Sequence, residues 1–180
     1  MASDVTTTSP QVADEQPIAM TPTTALVGFA ELYERHYEAV FRAALRVTGN
    51  PADAEDVLQT VFLRVLGRGG DVEAAPLPAA YFRRAAVNAA VDLLRRRAVH
   101  AASVYDDLAP HAAVPPPSLL KERLRRAIAT LESEDAALFL LRHVEGLSIE
   151  ELAGMFQLEK NNVAVRLHRI RHRLQAEMER

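Results

Sequence analysis

Near the C-terminal end of the chain, five cations fall within fourteen residues: Lys160, Arg166, Arg169, Arg171 and Arg173, with no acidic residue among them. Asn161, Asn162, His168 and His172 are interleaved with these cations. Guanidinium and ammonium groups neutralise phosphates, while Asn, His and Arg side chains donate to base edges, so this stretch has the chemistry of a nucleic-acid contact. A second basic group, Arg83, Arg84, Arg95, Arg96 and Arg97, surrounds Asn88. Between Pro51 and Phe62 the balance reverses, with Asp53, Glu55 and Asp56 close together and Gln59 one turn on. His168 and His172 have the i, i+4 spacing of an H-E-x-x-H metal site, but the residue after His168 is Arg169 and no third ligand is evident. No metal and no cofactor are expected. The absence of a Gly-rich phosphate loop, a nucleophile elbow or a supported acid pair argues against an enzyme.

The basic stretch needs a scaffold, and the residues ahead of it supply one. Ser148 and Glu151 form the S-x-x-E pattern of a capping box, and Leu147 and Leu152 stand where a hydrophobic staple would clip the entering chain. A helix therefore starts at Ser148, with Ile149, Leu152, Ala153 and Phe156 inward. A turn around Gln157, Leu158 and Glu159 follows, and a second helix begins near Lys160. Val163, Leu167, Ile170 and Leu174 step by four, three and four, giving that helix one buried seam. At 100° per residue the opposite face carries Asn161, Val165, His168 and His172, with Asn162 and Arg169 at its edge. Arg166 and Arg173 flank one side, and Lys160, Ala164 and Arg171 the other. Two helices joined by a short turn, the second presenting a basic face, make a helix-turn-helix. The alternative is a solvated basic helix that only closes a bundle; the cap, staple, turn and charge together favour DNA binding. Ala164 and Val165 can pack on thymine methyls but cannot hydrogen-bond a base.

The remainder of the 180 residues reads as helix. Residues 1–25 contain Thr, Pro and acids but no Lys or Arg, too little apolar surface to offset ordering entropy, and are expected to be a disordered tail. From residue 26, Phe29, Leu32, Tyr33, His36, Tyr37, Val40, Phe41, Ala44 and Leu45 recur at helical spacing up to Gly49. Asn50 and Pro51 then suit the cap and first position of a second helix, whose inward residues are Ala54, Val57, Leu58, Val61, Phe62 and Val65. A third helix packs through Phe82, Ala86, Ala89, Ala90, Leu93 and Leu94. Residues 98–118 are acidic and hold the run Pro115, Pro116, Pro117, so a linker is expected there. The fold class is all-α: two small helical domains, 26–97 and 119–180, joined by a flexible linker, the C-terminal one containing the helix-turn-helix. The net charge of -3 averages over acidic and basic segments and says little about partners. There is no cysteine, no run of the ~20 apolar residues that a membrane span needs, and no secretory start, so no membrane insertion and a cytoplasmic setting are expected.

Taken together, these stretches resemble a known family. The C-terminal part, "RAIATL", "EDAALFLLRHVEGLSIEELAGMF" and "VRLHRIRHRL", is similar to region 4 of the extracytoplasmic-function (ECF) subfamily of bacterial RNA polymerase sigma factors. "PADAEDVLQTVFLRV" resembles the polymerase-binding helix of that family's region 2, and "YFRRAAVNAAVDLLRRR" its promoter-melting helix. The resemblance implies a transcription factor that binds core RNA polymerase and directs it to promoter DNA. It implies polymerase contacts at Asp53, Glu55, Asp56, Gln59 and Phe62. It implies single-strand contacts at the −10 element for Tyr81, Phe82, Arg83, Arg84, Asn88, Arg95, Arg96 and Arg97. Duplex contacts at the −35 element would fall to Lys160, Asn161, Asn162, Ala164, Val165, Arg166, His168, Arg169, Arg171 and Arg173. Tyr81 and Phe82 stand where the family often has Trp, and Asn161-Asn162 where it usually has Gly-Thr or a similar pair. Sigma factors of this type are often held inactive by a partner anti-sigma factor. A stand-alone helix-turn-helix regulator is the alternative, and it leaves the acidic second helix and the basic third helix without a role.

Overall fold

The computed structural model describes residues 22–67, 78–104 and 117–179, and within them every regular element is a helix. α1 spans Pro22–Thr48 and α2 Pro51–Leu66; α3 runs Ala79–Val104, α4 Pro117–Ala129 and α5 Ser133–His143; α6 covers Ile149–Phe156 and α7 Lys160–Glu179. The expected tail lies outside the described residues except at its end, where α1 begins. α3 continues past Arg97 because the next residues, Ala98 to Val104, include no Pro or Gly to stop it.

The helix ends follow local chemistry. α1 stops where Gly49 takes a left-handed φ of +70° and its N–H donates to the Leu45 carbonyl at 2.8 Å. Asn50 then caps α2, its Oδ1 accepting from the Ala52 N–H at 2.9 Å, with Pro51 just inside. At α6 both halves of the capping box form: the Ser148 hydroxyl accepts from the Glu151 N–H at 3.1 Å, and the Ser148 N–H donates to Glu151 Oε2 at 2.7 Å. Leu147 and Leu152 are both buried, as a staple requires.

α1, α2 and α3 pack on one another around Val40, Val57, Val61, Phe62, Phe82 and Val87. Phe62 sits among Phe29, Tyr33 and Phe82, with ring centroids 4.7 to 6.1 Å away. His36 is buried and stacked on Phe82 at 4.1 Å; burial first, and Arg35 second, lower its pKa, so it is held neutral. α4 to α7 form a second group around Leu138, Leu141, Leu152, Val163 and Leu167.

The two groups share α3. It is gripped by α1 and α2 on one side and by α4 and α5 on the other. Val87 and Val91, which the expected packing stripe omitted, are therefore as buried as Phe82 and Ala90, at 1% exposure or less. A helix enclosed on two sides buries more than one stripe.

Candidate nucleic-acid interface

α7 follows α6 through a turn at Gln157, whose φ of 55° is the left-handed conformation that reverses the chain without a glycine. The seam Val163, Leu167, Ile170 and Leu174 is buried against the rest of the C-terminal group, each residue at 6% exposure or less. Facing away from it, Asn161, Asn162, Ala164, Val165, His168, Arg169, Arg171 and His172 are exposed. The His168 and His172 Nε2 atoms lie 3.2 Å apart, so one ring donates to the other. Among the described residues, no group of three or more His, Cys, Asp or Glu is placed to hold a metal ion.

The flanking cations divide into two kinds. Arg166 is half-buried and donates to Asp135 at 2.6 Å and to Glu134 at 3.1 Å, tying α7 to the start of α5. Burial opposes its charge, but the hydrogen bonds to Asp135 and Glu134 outweigh that and hold the guanidinium pKa above its usual value. Lys160 pairs with Glu150 at 3.0 Å, and Arg173 donates to the Thr130 carbonyl at 3.4 Å. Arg169 and Arg171 have no such tie among the described residues and are exposed.

A second polar site lies between α2 and α3, a groove of about 560 Å³ with Val61 and Ala85 in its wall and Arg64, Tyr81, Arg84 and Asn88 around it. Arg64, absent from the residues picked out in the sequence, reaches this groove from the end of α2 and pairs with Asp92 at 3.8 Å. Its signal was a lone cation on the exposed side of an otherwise acidic helix. Phe82 points into the core, fully buried, so of the two aromatic candidates only Tyr81 borders the groove. Arg83 is half-buried, and Arg96 is exposed at the outer surface of α3.

On α2 the acidic residues also separate. Asp53 is buried beneath Arg97, with which it forms an ion pair, and its Oδ2 has no partner among the described residues. Phe62 is likewise inside. Glu55, Asp56 and Gln59 are exposed, and Leu63, 65% exposed one turn beyond Gln59, continues their face. An exposed leucine beside carboxylates offers the apolar centre and charged rim of a protein contact.

An all-helical chain with an outward basic helix-turn-helix and a separate polar groove defines, as a class, a DNA-binding protein with a second docking module. Residues 32–99 match Sigma-70 region 2 and residues 121–174 match Sigma-70 region 4. The chain is 31% identical over 159 residues to the RNA polymerase sigma-E factor of Streptomyces avermitilis, covering 84% of this chain and 85% of that protein. It is 34% identical over 145 residues to the RNA polymerase sigma factor CarQ of Myxococcus xanthus, covering 78% and 83%. With the ECF sigma factor SigE of Mycolicibacterium smegmatis it shares 30% over 158 residues, covering 83% and 61%. The co-crystal structure of the sigma factor RpoE with the anti-sigma factor NepR from Bartonella quintana aligns at a TM-score of 0.47 and 19% identity, covering 84% of this chain and 96% of that one. The chain belongs to the ECF RNA polymerase sigma factors. It binds core RNA polymerase and promoter DNA and directs transcription initiation; a stand-alone regulator is not favoured. No described helix is long and apolar enough to cross a membrane.

Proposed function

We propose that three surfaces of this chain divide the work of promoter recognition, and that the chain acts by binding alone, without catalysis, in the cytoplasm. Glu55, Asp56 and Gln59, with Leu63 beside them, meet the polymerase. Their carboxylates supply charge complementarity to a basic partner and Leu63 the desolvated centre. Asp53 and Phe62 support that face from inside, one through Arg97 and the other through the aromatic cluster. The groove bordered by Tyr81, Arg84 and Asn88 accepts an unstacked base of the −10 element, with Arg83, Arg95, Arg96 and Arg97 toward the strand's backbone. The outer face of α7 reads the −35 element. Asn161, Asn162, His168 and Arg169 donate to base edges, Ala164 and Val165 pack on methyl groups, and Lys160, Arg166, Arg171 and Arg173 lie toward phosphates. The modules are residues 26–97 and 119–180, and of the 98–118 expected between them as a linker, 98–104 continue α3 and 117–118 open α4. Restraint by an anti-sigma factor belongs to the same reading and rests on family membership alone.

The observation that carries this reading is the coexistence, in one chain, of an exposed acidic face on α2 with an exposed basic face on α7. A regulator acting without polymerase has no use for the first. Purified core polymerase, a promoter library and this chain should give discrete transcription starts. Asp56→Arg should abolish holoenzyme formation, measured by gel filtration or fluorescence anisotropy, with unaltered circular dichroism. Unchanged polymerase affinity in that variant refutes the docking face.

A further inference from the structure

The outer face of α7 holds a histidine pair with the spacing of a chelate. His168 and His172 are one turn apart and both exposed, with ring centroids 4.4 Å apart and Nε2 atoms 3.2 Å apart. Two imidazoles that each reach one zinc ion at ~2.0–2.1 Å, in tetrahedral arrangement, hold their nitrogens about 3.3 Å apart. The observed separation is that of two ligands on one ion. The backbone beneath them is fixed before any ion arrives. Leu167, Ile170 and Leu174 are buried under this turn, and the neighbouring Arg173 donates to the Thr130 carbonyl at 3.4 Å. Farther along α7, the Met178 carbonyl accepts from Arg123 Nη2 at 2.5 Å. A pair so held loses little freedom on binding.

The missing third ligand decides what kind of site this is. On the same strip Val165 precedes the pair by three residues and Gln175 follows it by three, and neither supplies a carboxylate or an imidazole. Four protein ligands make a structural zinc site and three a catalytic one. Two histidines, with water on the remaining positions, make an exchangeable site that fills only when the ion is in excess. Arg169 and Arg171 beside the pair repel a dication and loosen it further. Imidazole nitrogens select borderline ions such as Zn²⁺, Ni²⁺ and Cu²⁺ over Mg²⁺. The protons balance within the pair. With both rings neutral, one Nε2 carries the proton that it donates to the other. Binding moves that proton to Nδ1 of its own ring and leaves both Nε2 lone pairs to the ion.

We infer that His168 and His172 form a two-nitrogen site for a borderline divalent transition ion, and that the ion competes with base edges for His168. An Nε2 atom bound to metal cannot donate to a base, so filling the site withdraws His168 from the readout. The added charge meanwhile strengthens a face that attracts phosphates of any sequence. The ion thus lowers the sequence preference of α7 without lowering its affinity for unrelated duplex. The site stands on the two histidines alone; the effect on DNA rests on the reading of α7 as the −35 helix.

The test uses the full chain, which has no cysteine to compete for the ion. Zn²⁺ titrated into it should bind, read by isothermal calorimetry, where Mg²⁺ does not. His168→Ala, His172→Ala and the double variant should each lose zinc affinity by at least about tenfold and to the same extent, since a chelate with one arm is no chelate. Ala164→His in the His172→Ala background restores the one-turn spacing with His168 and should recover binding. A double variant that binds at parental affinity overturns the site, and so does a rescue that recovers nothing, provided circular dichroism shows each variant folded. For the effect on DNA, anisotropy compares a −35 duplex, from a promoter used in the transcription assay, with a scrambled duplex, in excess Zn²⁺ and in chelator. The ion should lower the parent's preference by at least about threefold and leave that of His172→Ala unaltered. A parental preference unmoved by the ion overturns the competition. A parent with no preference even in chelator sinks the −35 reading and the competition with it, while the calorimetric titration still judges the histidine site.

Discussion

α3 and α7 are both basic helices, and they differ in how their outermost cations are used. α7 buries one seam and turns Arg169 and Arg171 to the outside. α3 is packed on both sides, and its arginines bridge elements: Arg84 reaches α6, Arg95 the α4–α5 turn and Arg97 the buried Asp53. Equal charge therefore predicts unequal roles. A cation whose donors are satisfied by carbonyls contributes to stability until the carbonyls are removed, whereas an exposed one contributes to binding alone.

The widest separation between the helices should come from Arg95→Ala. It leaves two carbonyls and a hydroxyl without their charged donor, and the unfolding free energy should fall by about 2–3 kcal/mol, read by urea denaturation. Arg169→Ala should leave that quantity within about 0.5 kcal/mol of the parent and instead weaken −35 duplex binding by about 1–3 kcal/mol in anisotropy titrations. If the two variants behaved alike, the contrast between the helices would be wrong.

A smaller effect belongs to the device that aims α7. Ser148→Ala removes one half of the capping box and should lower stability by about 1 kcal/mol. The other half is sensitive to pH. The Ser148 backbone N–H and then its hydroxyl, with Arg83 nearby, hold the Glu151 carboxyl below its ordinary value of 4.5. A folded pKa below the unfolded one means that the contribution is fully present above pH 4.5 and is lost as pH falls through the depressed value. Glu151→Gln should flatten that part of the stability profile in acid denaturation, lowering stability at pH 7 and leaving it nearly unaltered below the depressed value.

The helix-turn-helix was legible because everything that defines it is local. Ser148, Glu151 and the turn at Gln157 lie within ten residues, and the seam from Val163 to Leu174 repeats at the helix's own period. α2 was legible for the same reason, since Asn50 and Pro51 announce its start. What the sequence could not show is long-range. Nothing near Asp53 in the chain signals that it is buried under Arg97, and an acidic residue in a first helical turn ordinarily faces solvent. Nor did the sequence hint that Val87 and Val91 are buried, because one helix's periodicity reports its own stripe and not how many neighbours the helix has. Of the candidate contacts, Arg169, His168 and Asn161 are exposed at the surface as their spacing on α7 implied, while Arg166 is tied to Asp135, a residue thirty-one positions earlier.

Gly49 carries one more implication. Its positive φ already disfavours a side chain, and a methyl group built there would come within 1.8 Å of the Arg125 guanidinium. That guanidinium reaches across from α4 to the Val47 carbonyl near the end of α1. The hydrogen atom of this glycine is thus a keyhole: a single added carbon would push the tip of the arginine out of its seat and cost the modules one of their ties.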